Sequence, residues 1–131
     1  MKKITLLLII IFFNFENNLF ANDNKINRIY DGKENAKITI ITYESLTCSH
    51  CADFHNNVYP ELKKEFIDSG LVKIEFRHFP LDMAALNASK IAQCNNDGSS
   101  DLLHILFSNQ KRWVKGKTLE EANSHLKKVL K

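Results

Sequence analysis

Two cysteines separated by two residues are the part of this sequence best suited to chemistry. Cys48 and Cys51 enclose Ser49 and His50, and a helical pattern follows them. At this spacing at the start of a helix, two thiols can form and break a disulfide without straining the backbone. The first turn of a helix also presents unpaired N–H groups and a partial positive charge, which stabilise a thiolate and lower its pKa. The motif therefore predicts a redox-active dithiol.

The position of each residue in the motif predicts its role in thiol–disulfide exchange. Cys48, at the helix start, is expected to be the exposed nucleophile that exchanges with a substrate. Cys51 lies one turn further in and is expected to resolve the mixed disulfide. His50, if protonated or donating a hydrogen bond, would favour the Cys48 thiolate further. Because a stabilised thiolate makes the disulfide form a stronger oxidant, we predict that disulfides are donated to substrates.

The cysteine pair could instead contribute to a zinc site. Zinc in structural sites has four ligands, so two more would have to come from His50, His55, His78 or Cys94, and no second paired motif is present. Zinc binding is therefore the weaker alternative. Haem attachment requires His directly after the second cysteine, where this chain has Ala52.

Several other residues are predicted to be structural. Cys94 lies among small apolar residues of a helix and is expected to be buried and inert. His55, one turn beyond the motif, is expected to be a partly exposed helix residue. Trp113, Phe107 and Phe79 are expected to belong to the core rather than to a cofactor site. We therefore predict no cofactor and no metal ion.

The elements around the motif alternate between strand and helix, which predicts an α/β fold. Residues 37–43 and 71–79 are rich in β-branched and apolar side chains, as in buried strands, and a short lead-in strand is expected at 26–30. Between them, apolar side chains recur every four residues, which predicts one stripe of a long helix. This stripe consists of Phe54, Val58, Leu62 and Phe66. Pro60 should kink this helix and Gly70 should end it. Strand, helix and strand in this order predict a parallel βαβ unit.

Three more helices are predicted beyond the second strand. The first contains the apolar residues between 83 and 92, and the second, with its apolar residues between 102 and 107, has Ser99 or Ser100 as its cap. Thr118 and Glu121 form a capping box for the third helix. The third helix, which follows this capping box, has a stripe of apolar residues on one face. This stripe consists of Leu119, Ala122, Leu126 and Val129.

The start of the chain predicts a signal peptide at residues 1–21. Two lysines are followed by an apolar run at 4–13, and Ala21 is the small residue expected before a cleavage site. The apolar run is about half as long as a membrane-spanning helix. We therefore predict a mature domain of residues 22–131 that is exported to the periplasm and is not stably inserted in the membrane.

Composition and charge limit the function classes further. The chain has 131 residues, of which 44% are hydrophobic and 25% are charged, as in one soluble globular domain. Its net charge is +3, and its basic residues form no stripe with interleaved aromatic residues. We therefore do not predict binding to nucleic acid.

Five stretches of the sequence together resemble the DsbA-like thiol–disulfide oxidoreductases, a bacterial group that has a thioredoxin-like fold with a helical insertion. They are 36–40, 43–51, 59–62, 76–81 and 106–113, in the order and spacing of that family. The resemblance implies a periplasmic oxidase of newly exported proteins that is reoxidised by a quinone-linked membrane partner. It gives Cys48 the role of nucleophile, Cys51 that of resolving thiol and His50 that of tuning residue. Ser49 departs from the family's best-known oxidants, which have Pro there.

The end of the sequence also departs from the family's pattern. Members continue past the helical insertion into a Thr-Pro segment with a cis proline, further strands and a last helix. Pro60 and Pro80 do not fit that place, so we expect a domain that is incomplete at its C-terminus. The strand at 37–43 would then keep an open apolar edge. The alternative to an active enzyme is accordingly a non-catalytic, truncated remnant.

Overall fold

The computed structural model describes residues 25–131, and the predicted signal peptide lies outside the described residues. The described residues contain a three-stranded sheet with helices packed against it. The strands are β1 (Ile29–Asp31), β2 (Ile38–Glu44) and β3 (Val72–His78). β3 lies in the centre of the sheet, between β1 and β2.

The pairing of β2 with β3 confirms the predicted parallel βαβ unit. Their register runs from Ile38 opposite Val72 to Glu44 opposite His78. β1 pairs antiparallel with β3 and begins three residues later than the lead-in strand predicted at 26–30. Within the described residues β2 pairs only with β3, and much of its surface is exposed. The expectation that 37–43 is a buried strand was therefore wrong, because an edge strand leaves part of its surface in solvent.

The long helix after the cysteine motif, α1, is a continuous run over 49–67 that alternates between α-helical and π-helical turns. Its successive segments are Ser49–Asp53 (α), Phe54–Val58 (π), Tyr59–Leu62 (α) and Lys63–Ile67 (π). Pro60 has no backbone N–H to donate, and the disturbance expected from it coincides with the widened turn just before it.

The π turns also shift the buried face of α1. Because a π turn holds more residues than an α turn, side chains four apart drift out of line. Val58 and Phe66, members of the predicted apolar stripe, are exposed. The buried face is instead formed by Ala52, His55, Tyr59 and Ile67. The predicted stripe was therefore wrong in part.

Four further helices follow the sheet, three in the predicted order and one short helix that was not predicted. They are α2 (Met83–Ala92), α3 (Asp101–Ser108), α4 (Gln110–Trp113) and α5 (Leu119–Val129). No helix formed by residues 25–131 has the length and apolar character needed to cross a bilayer.

Side-chain caps fix the starts of two of these helices. The Asp82 carboxylate accepts a hydrogen bond from the Ala85 N–H at 2.7 Å, and the Thr118 hydroxyl accepts one from the Glu121 N–H at 3.2 Å. The second half of the predicted capping box differs, because the Glu121 carboxylate bonds the Lys117 N–H at 2.7 Å. Of the two caps predicted for α3, the Ser99 hydroxyl accepts the Asp101 N–H at 3.2 Å, whereas the Ser100 hydroxyl donates to Asp31 and does not cap the helix.

The core lies between the sheet, α1 and the later helices. Trp113 and Phe107 are buried in it, as predicted. Phe79 is exposed, because it follows the last residue of β3 and leaves the sheet. Cys94 is also exposed, because α2 ends before it and the cysteine lies in the following turn. His55, expected to be partly exposed, is buried. These three predictions were therefore wrong.

Candidate active site

The cysteine pair lies where β2 passes into α1. A tight turn after β2 leads to Cys48, whose N–H donates to the Ser45 carbonyl at 3.0 Å. Cys48 is the N-cap of α1, with extended backbone angles of φ −75° and ψ 120°, and its carbonyl accepts the Ala52 N–H at 3.2 Å. Both Cys48 and Cys51 are half-buried. The motif thus sits at the start of the helix, as its sequence predicts.

The two sulfurs differ in their electrostatic surroundings. The pKa of Cys48 lies below its ordinary value because the backbone N–H of Cys51, followed by the Cys51 thiol and the backbone N–H of His50, bonds the sulfur. These contacts outweigh partial burial and a nearby carboxylate. Burial raises the pKa of Cys51 to about 11, and the nearby Cys48 and Glu44 act in the same direction. One thiol of the pair is therefore readily ionised and the other retains its proton.

His50 lies in the first turn of α1 and is exposed. Its backbone N–H is one of the groups that stabilise the Cys48 thiolate. Within residues 25–131, hydrogen bonds of the protein do not involve its imidazole ring. The structure therefore places all three predicted site residues in one turn, and His50 contacts the sulfur through its backbone.

Two contacts that the sequence reasoning missed hold the turn before Cys48. The amide nitrogen of buried Gln110 donates to the Leu46 and Cys48 carbonyls, both at 2.9 Å. The Thr47 hydroxyl donates to the Asp82 carboxylate at 2.7 Å. The only sequence signal for Gln110 was its place in the 106–113 stretch that resembles the DsbA-like proteins.

A chain of titratable side chains lies in the core beneath the cysteines. Glu44 Oε2 and His55 Nε2 are hydrogen-bonded at a distance of 2.7 Å. The His55 and His104 rings meet at 3.1 Å between their Nδ1 atoms, and His104 Nε2 lies 3.1 Å from Asp31 Oδ2. Burial alone would raise the pKa of Asp31, but hydrogen bonds from His104 and from two hydroxyl groups hold it below its ordinary value. Sequence reasoning did not find this chain, because its members are far apart in sequence.

Comparison with known proteins places this geometry in a family. A model of the family described as thioredoxin matches residues 24–130. The chain belongs to the thioredoxin family.

Relatives of this thioredoxin-family chain include proteins that are named for the formation or exchange of disulfides. The "Putative protein-disulfide oxidoreductase" of Rickettsia bellii is 36% identical over 84 residues, which are 63% of this chain and 32% of the relative. "Disulfide bond formation protein D" of Bacillus subtilis is 28% identical over 92 residues, which are 63% of this chain and 41% of the relative. The chain thus spans about one third of the Rickettsia relative that it matches.

Solved structures agree with this family assignment. Alpha-DsbA1 from Wolbachia pipientis has a TM-score of 0.62 and 31% identity, and the match covers 86% of this chain and 58% of that one. Oxidised BdbD from Bacillus subtilis, at 20% identity and a TM-score of 0.53, shares the fold. The comparisons confirm the thioredoxin-like α/β fold with a helical insertion and the resemblance to DsbA-like proteins that the motifs indicated.

Metal binding was the alternative for the cysteine pair. Among residues 25–131, no three or more His, Cys, Asp or Glu side chains are grouped so that they could hold a metal ion. The part of the thioredoxin-family chain that the structure describes thus offers no ligand set for the zinc alternative.

Proposed function

We propose that this chain is a periplasmic thiol–disulfide oxidoreductase that introduces disulfides into exported proteins. In this proposal Cys48 is the nucleophile, Cys51 is the resolving thiol and His50 is the tuning residue. The observation that carries the proposal is the opposite direction of the two pKa shifts in the pair. A stabilised thiolate makes Cys48 a good leaving group and favours the reduced form of the enzyme, whereas the raised pKa of Cys51 keeps that thiol protonated.

The proposed reaction begins with the oxidised pair. A substrate thiolate attacks the Cys48 sulfur, the bond between Cys48 and Cys51 breaks, and Cys51 leaves with the electron pair and takes up a proton. A second substrate thiolate then attacks the substrate sulfur of the mixed disulfide, and Cys48 leaves as a thiolate. Two electrons pass from the substrate dithiol to the enzyme. Stabilisation of the Cys48 thiolate drives the reaction in this direction.

Exposed apolar side chains beside the site support a polypeptide substrate. Phe79, Leu81 and Met83 are exposed, although large apolar groups are usually buried. The Leu81 N–H lies 3.3 Å from the Ser45 hydroxyl, which places this segment against the turn before Cys48. An unfolded exported protein presents apolar side chains that could pack on this surface while its thiol reaches Cys48.

The compartment and the reoxidising partner belong to the same proposal. The predicted signal peptide supports export, and an oxidising compartment is where disulfides persist. The reduced pair must return its two electrons to an acceptor after each turnover. We assign this step to a quinone-linked membrane oxidase, which would react with the same accessible sulfur of Cys48.

A transfer experiment tests the proposed function. The oxidised chain is mixed with a reduced peptide that has two cysteines, and the substrate disulfide is measured by mass spectrometry. We expect transfer by the unsubstituted chain and by the matched control Cys94→Ser, and none by Cys48→Ser. Unchanged transfer by Cys48→Ser would rule out the mechanism. Transfer by the unsubstituted chain no faster than by glutathione disulfide would favour a non-catalytic remnant.

A further inference from the structure

Four buried or partly buried side chains form a continuous series of hydrogen bonds beneath the cysteines, which we call the relay. Its members, in order, are Glu44, His55, His104 and Asp31. The three bonds are 2.7, 3.1 and 3.1 Å long between heavy atoms. Both imidazole rings are stacked on aromatic rings. The centroids of His55 and Phe107 lie 4.0 Å apart, and those of His104 and Tyr59 lie 4.4 Å apart. The relay therefore has a fixed geometry.

The number of protons in the relay follows from this geometry. Asp31 accepts hydrogen bonds from the Ser100 and Tyr59 hydroxyl groups and so receives the His104 Nε2–H as a third donor. A neutral His104 then has only a lone pair at Nδ1, and the central bond needs the proton of His55 Nδ1. A neutral His55 that donates from Nδ1 has no proton at Nε2.

The bond between His55 and Glu44 therefore requires one more proton than two neutral imidazoles supply. That proton is on Glu44, as a carboxylic acid, or on His55, as an imidazolium beside a carboxylate. If His104 is the imidazolium instead of His55, the series again contains three protons for its three hydrogen bonds. Without the third proton, either two nitrogen lone pairs would face each other at 3.1 Å or the His55 Nε2 lone pair would face the Glu44 carboxylate at 2.7 Å. Three hydrogen bonds in the series thus need one proton more than two neutral rings supply.

The two ends of the relay lie in different surroundings. The side chains of Glu44 and His55 are 7% and 1% exposed, whereas those of Asp31 and His104 are 20% and 26% exposed. The buried end lies beside the resolving cysteine. The Cys51 sulfur accepts a hydrogen bond from the backbone of Ser45, the residue after Glu44, and His55 follows Cys51 by one helical turn on the same face. The relay thus leads from the Cys51 side of the core to the surface.

We propose that the relay stores one proton and conducts it between Cys51 and the partly exposed Asp31 end. This inference rests on the proposed function. When a substrate thiolate attacks Cys48, the S–S bond breaks and its electron pair passes to Cys51. The relay gives a proton to that sulfur from its Glu44 end and recovers one from solvent at its Asp31 end. In reoxidation the proton moves in the opposite direction as Cys51 attacks the mixed disulfide. Glu44 acts on the reacting sulfur of Cys51, whereas His55, His104 and Asp31 are positioning residues that act through Glu44.

Other titratable groups face the relay from the elements packed against it. Tyr59 of α1 donates to Asp31, and Asp68 and Asp101 lie near enough to act on its hydroxyl group. His78 of β3 pairs with Glu44 in the sheet register, and its Nε2 is buried without a hydrogen-bond partner in the described residues. His78 is thus available as a second imidazole beside the Glu44 end of the relay.

The stored proton can be detected without any assay of activity. The chain is labelled with ¹⁵N at histidine, and nitrogen–nitrogen scalar coupling through the hydrogen bond between His55 and His104 is measured near neutral pH. We expect a coupling between the two Nδ1 atoms, which His104→Gln should abolish. Two neutral rings without any coupling would show that no proton is shared and would overturn the proposal.

Conduction is tested on the step in which Cys51 acts. The chain is loaded at Cys48 with a small-molecule mixed disulfide, and release of the small thiol by Cys51 is followed against pH and buffer concentration. In His104→Gln we expect release to slow by about tenfold and to become dependent on the buffer, because solvent bases replace the relay. Alkylation of Cys48 should be unaffected. An unchanged release rate in His104→Gln would contradict conduction.

A matched variant separates conduction from stability. Tyr59→Phe removes a hydrogen bond to the same Asp31 oxygen but leaves the relay continuous. It should keep both the nitrogen–nitrogen coupling and the buffer-independent release. Equal slowing in Tyr59→Phe and His104→Gln would show a structural effect and overturn the proposal. If the unsubstituted chain transfers no disulfide at all, the proposed function fails, and the coupling still decides whether the proton is shared.

Discussion

The first two turns of α1 each contain a histidine, and the two histidines lie in opposite environments. In the first turn, His50 is exposed and the Cys48 sulfur is held by backbone N–H groups. In the next turn, His55 is buried and is bonded through both ring nitrogens to other side chains. The position of each histidine along the helix therefore decides whether it is exposed to solvent or bonded to other side chains. The first turn stabilises the Cys48 thiolate near solvent, whereas the second turn holds a hydrogen-bonded imidazole in the core.

Removal of the resolving sulfur should have the strongest effect on turnover. Cys51→Ser should leave Cys48 able to react but unable to be released, because the resolving thiol is gone. We expect the mixed disulfide between Cys48 and the small thiol to accumulate and turnover to stop, as measured by mass spectrometry of the intact chain. Continued turnover at the unsubstituted rate would show that the two sulfurs do not have separate roles.

The two histidines should differ strongly in their contribution to stability. His55→Ala removes a buried ring and leaves the Glu44 carboxylate without its partner, so we expect a loss of about 3–5 kcal/mol in the free energy of unfolding. His50→Ala, at an exposed position of the same helix, should change it by less than about 0.5 kcal/mol. Denaturant unfolding of both variants provides the comparison. Equal losses would contradict the contrast between the two turns.

The contact that fixes the turn before Cys48 should have an intermediate effect. Gln110→Ala removes both hydrogen bonds to the Leu46 and Cys48 carbonyls, one of which is buried, so we expect a loss of about 1–3 kcal/mol. Lys111→Ala, at the exposed neighbouring position, is the matched control and should be nearly neutral. If the two variants unfold at the same denaturant concentration, Gln110 does not hold the turn.

The smallest expected effect is a pH dependence at the surface end of the relay. The pKa of Asp31 is lowered in the folded chain, so its carboxylate stabilises the fold above the unfolded value of about 3.9. This stabilisation is lost as the pH falls from there through the lower folded pKa. Asp31→Asn should therefore flatten the acid limb of stability measured against pH. An acid limb that is identical in both chains would show that Asp31 is not held ionised by its partners.

Local patterns in the sequence were sufficient to predict the cysteine pair and all of the elements except the short helix α4. The alternation of strand and helix gave the parallel pairing of β2 with β3, and Thr118 marked the start of α5. The position of Cys48 at a helix start follows from the spacing of the motif and needs no tertiary contact. The resemblance to DsbA-like proteins added the order of the stretches, and the family match confirms it.

What the sequence could not predict depends on tertiary contacts and on irregular helix geometry. The buried face of α1 includes His55 because π turns shift the register that a regular helix would have. Cys94 and Phe79 lie just past the ends of α2 and β3. Because these two elements end earlier than predicted, both side chains are exposed instead of buried. The relay joins residues separated by up to 73 positions, and no local pattern marks such contacts.

The folded start of α1 stabilises a thiolate at Cys48. The most direct test is the rate of alkylation at Cys48, mapped by mass spectrometry across mildly acidic to neutral pH. This rate is compared with the rate of alkylation of the corresponding cysteine in an unstructured peptide that contains residues 45–51. We predict that Cys48 in the folded chain stays reactive at a pH at which the peptide cysteine has become protonated and slow. The same pH profile for the chain and the peptide would show that the fold does not stabilise the Cys48 thiolate.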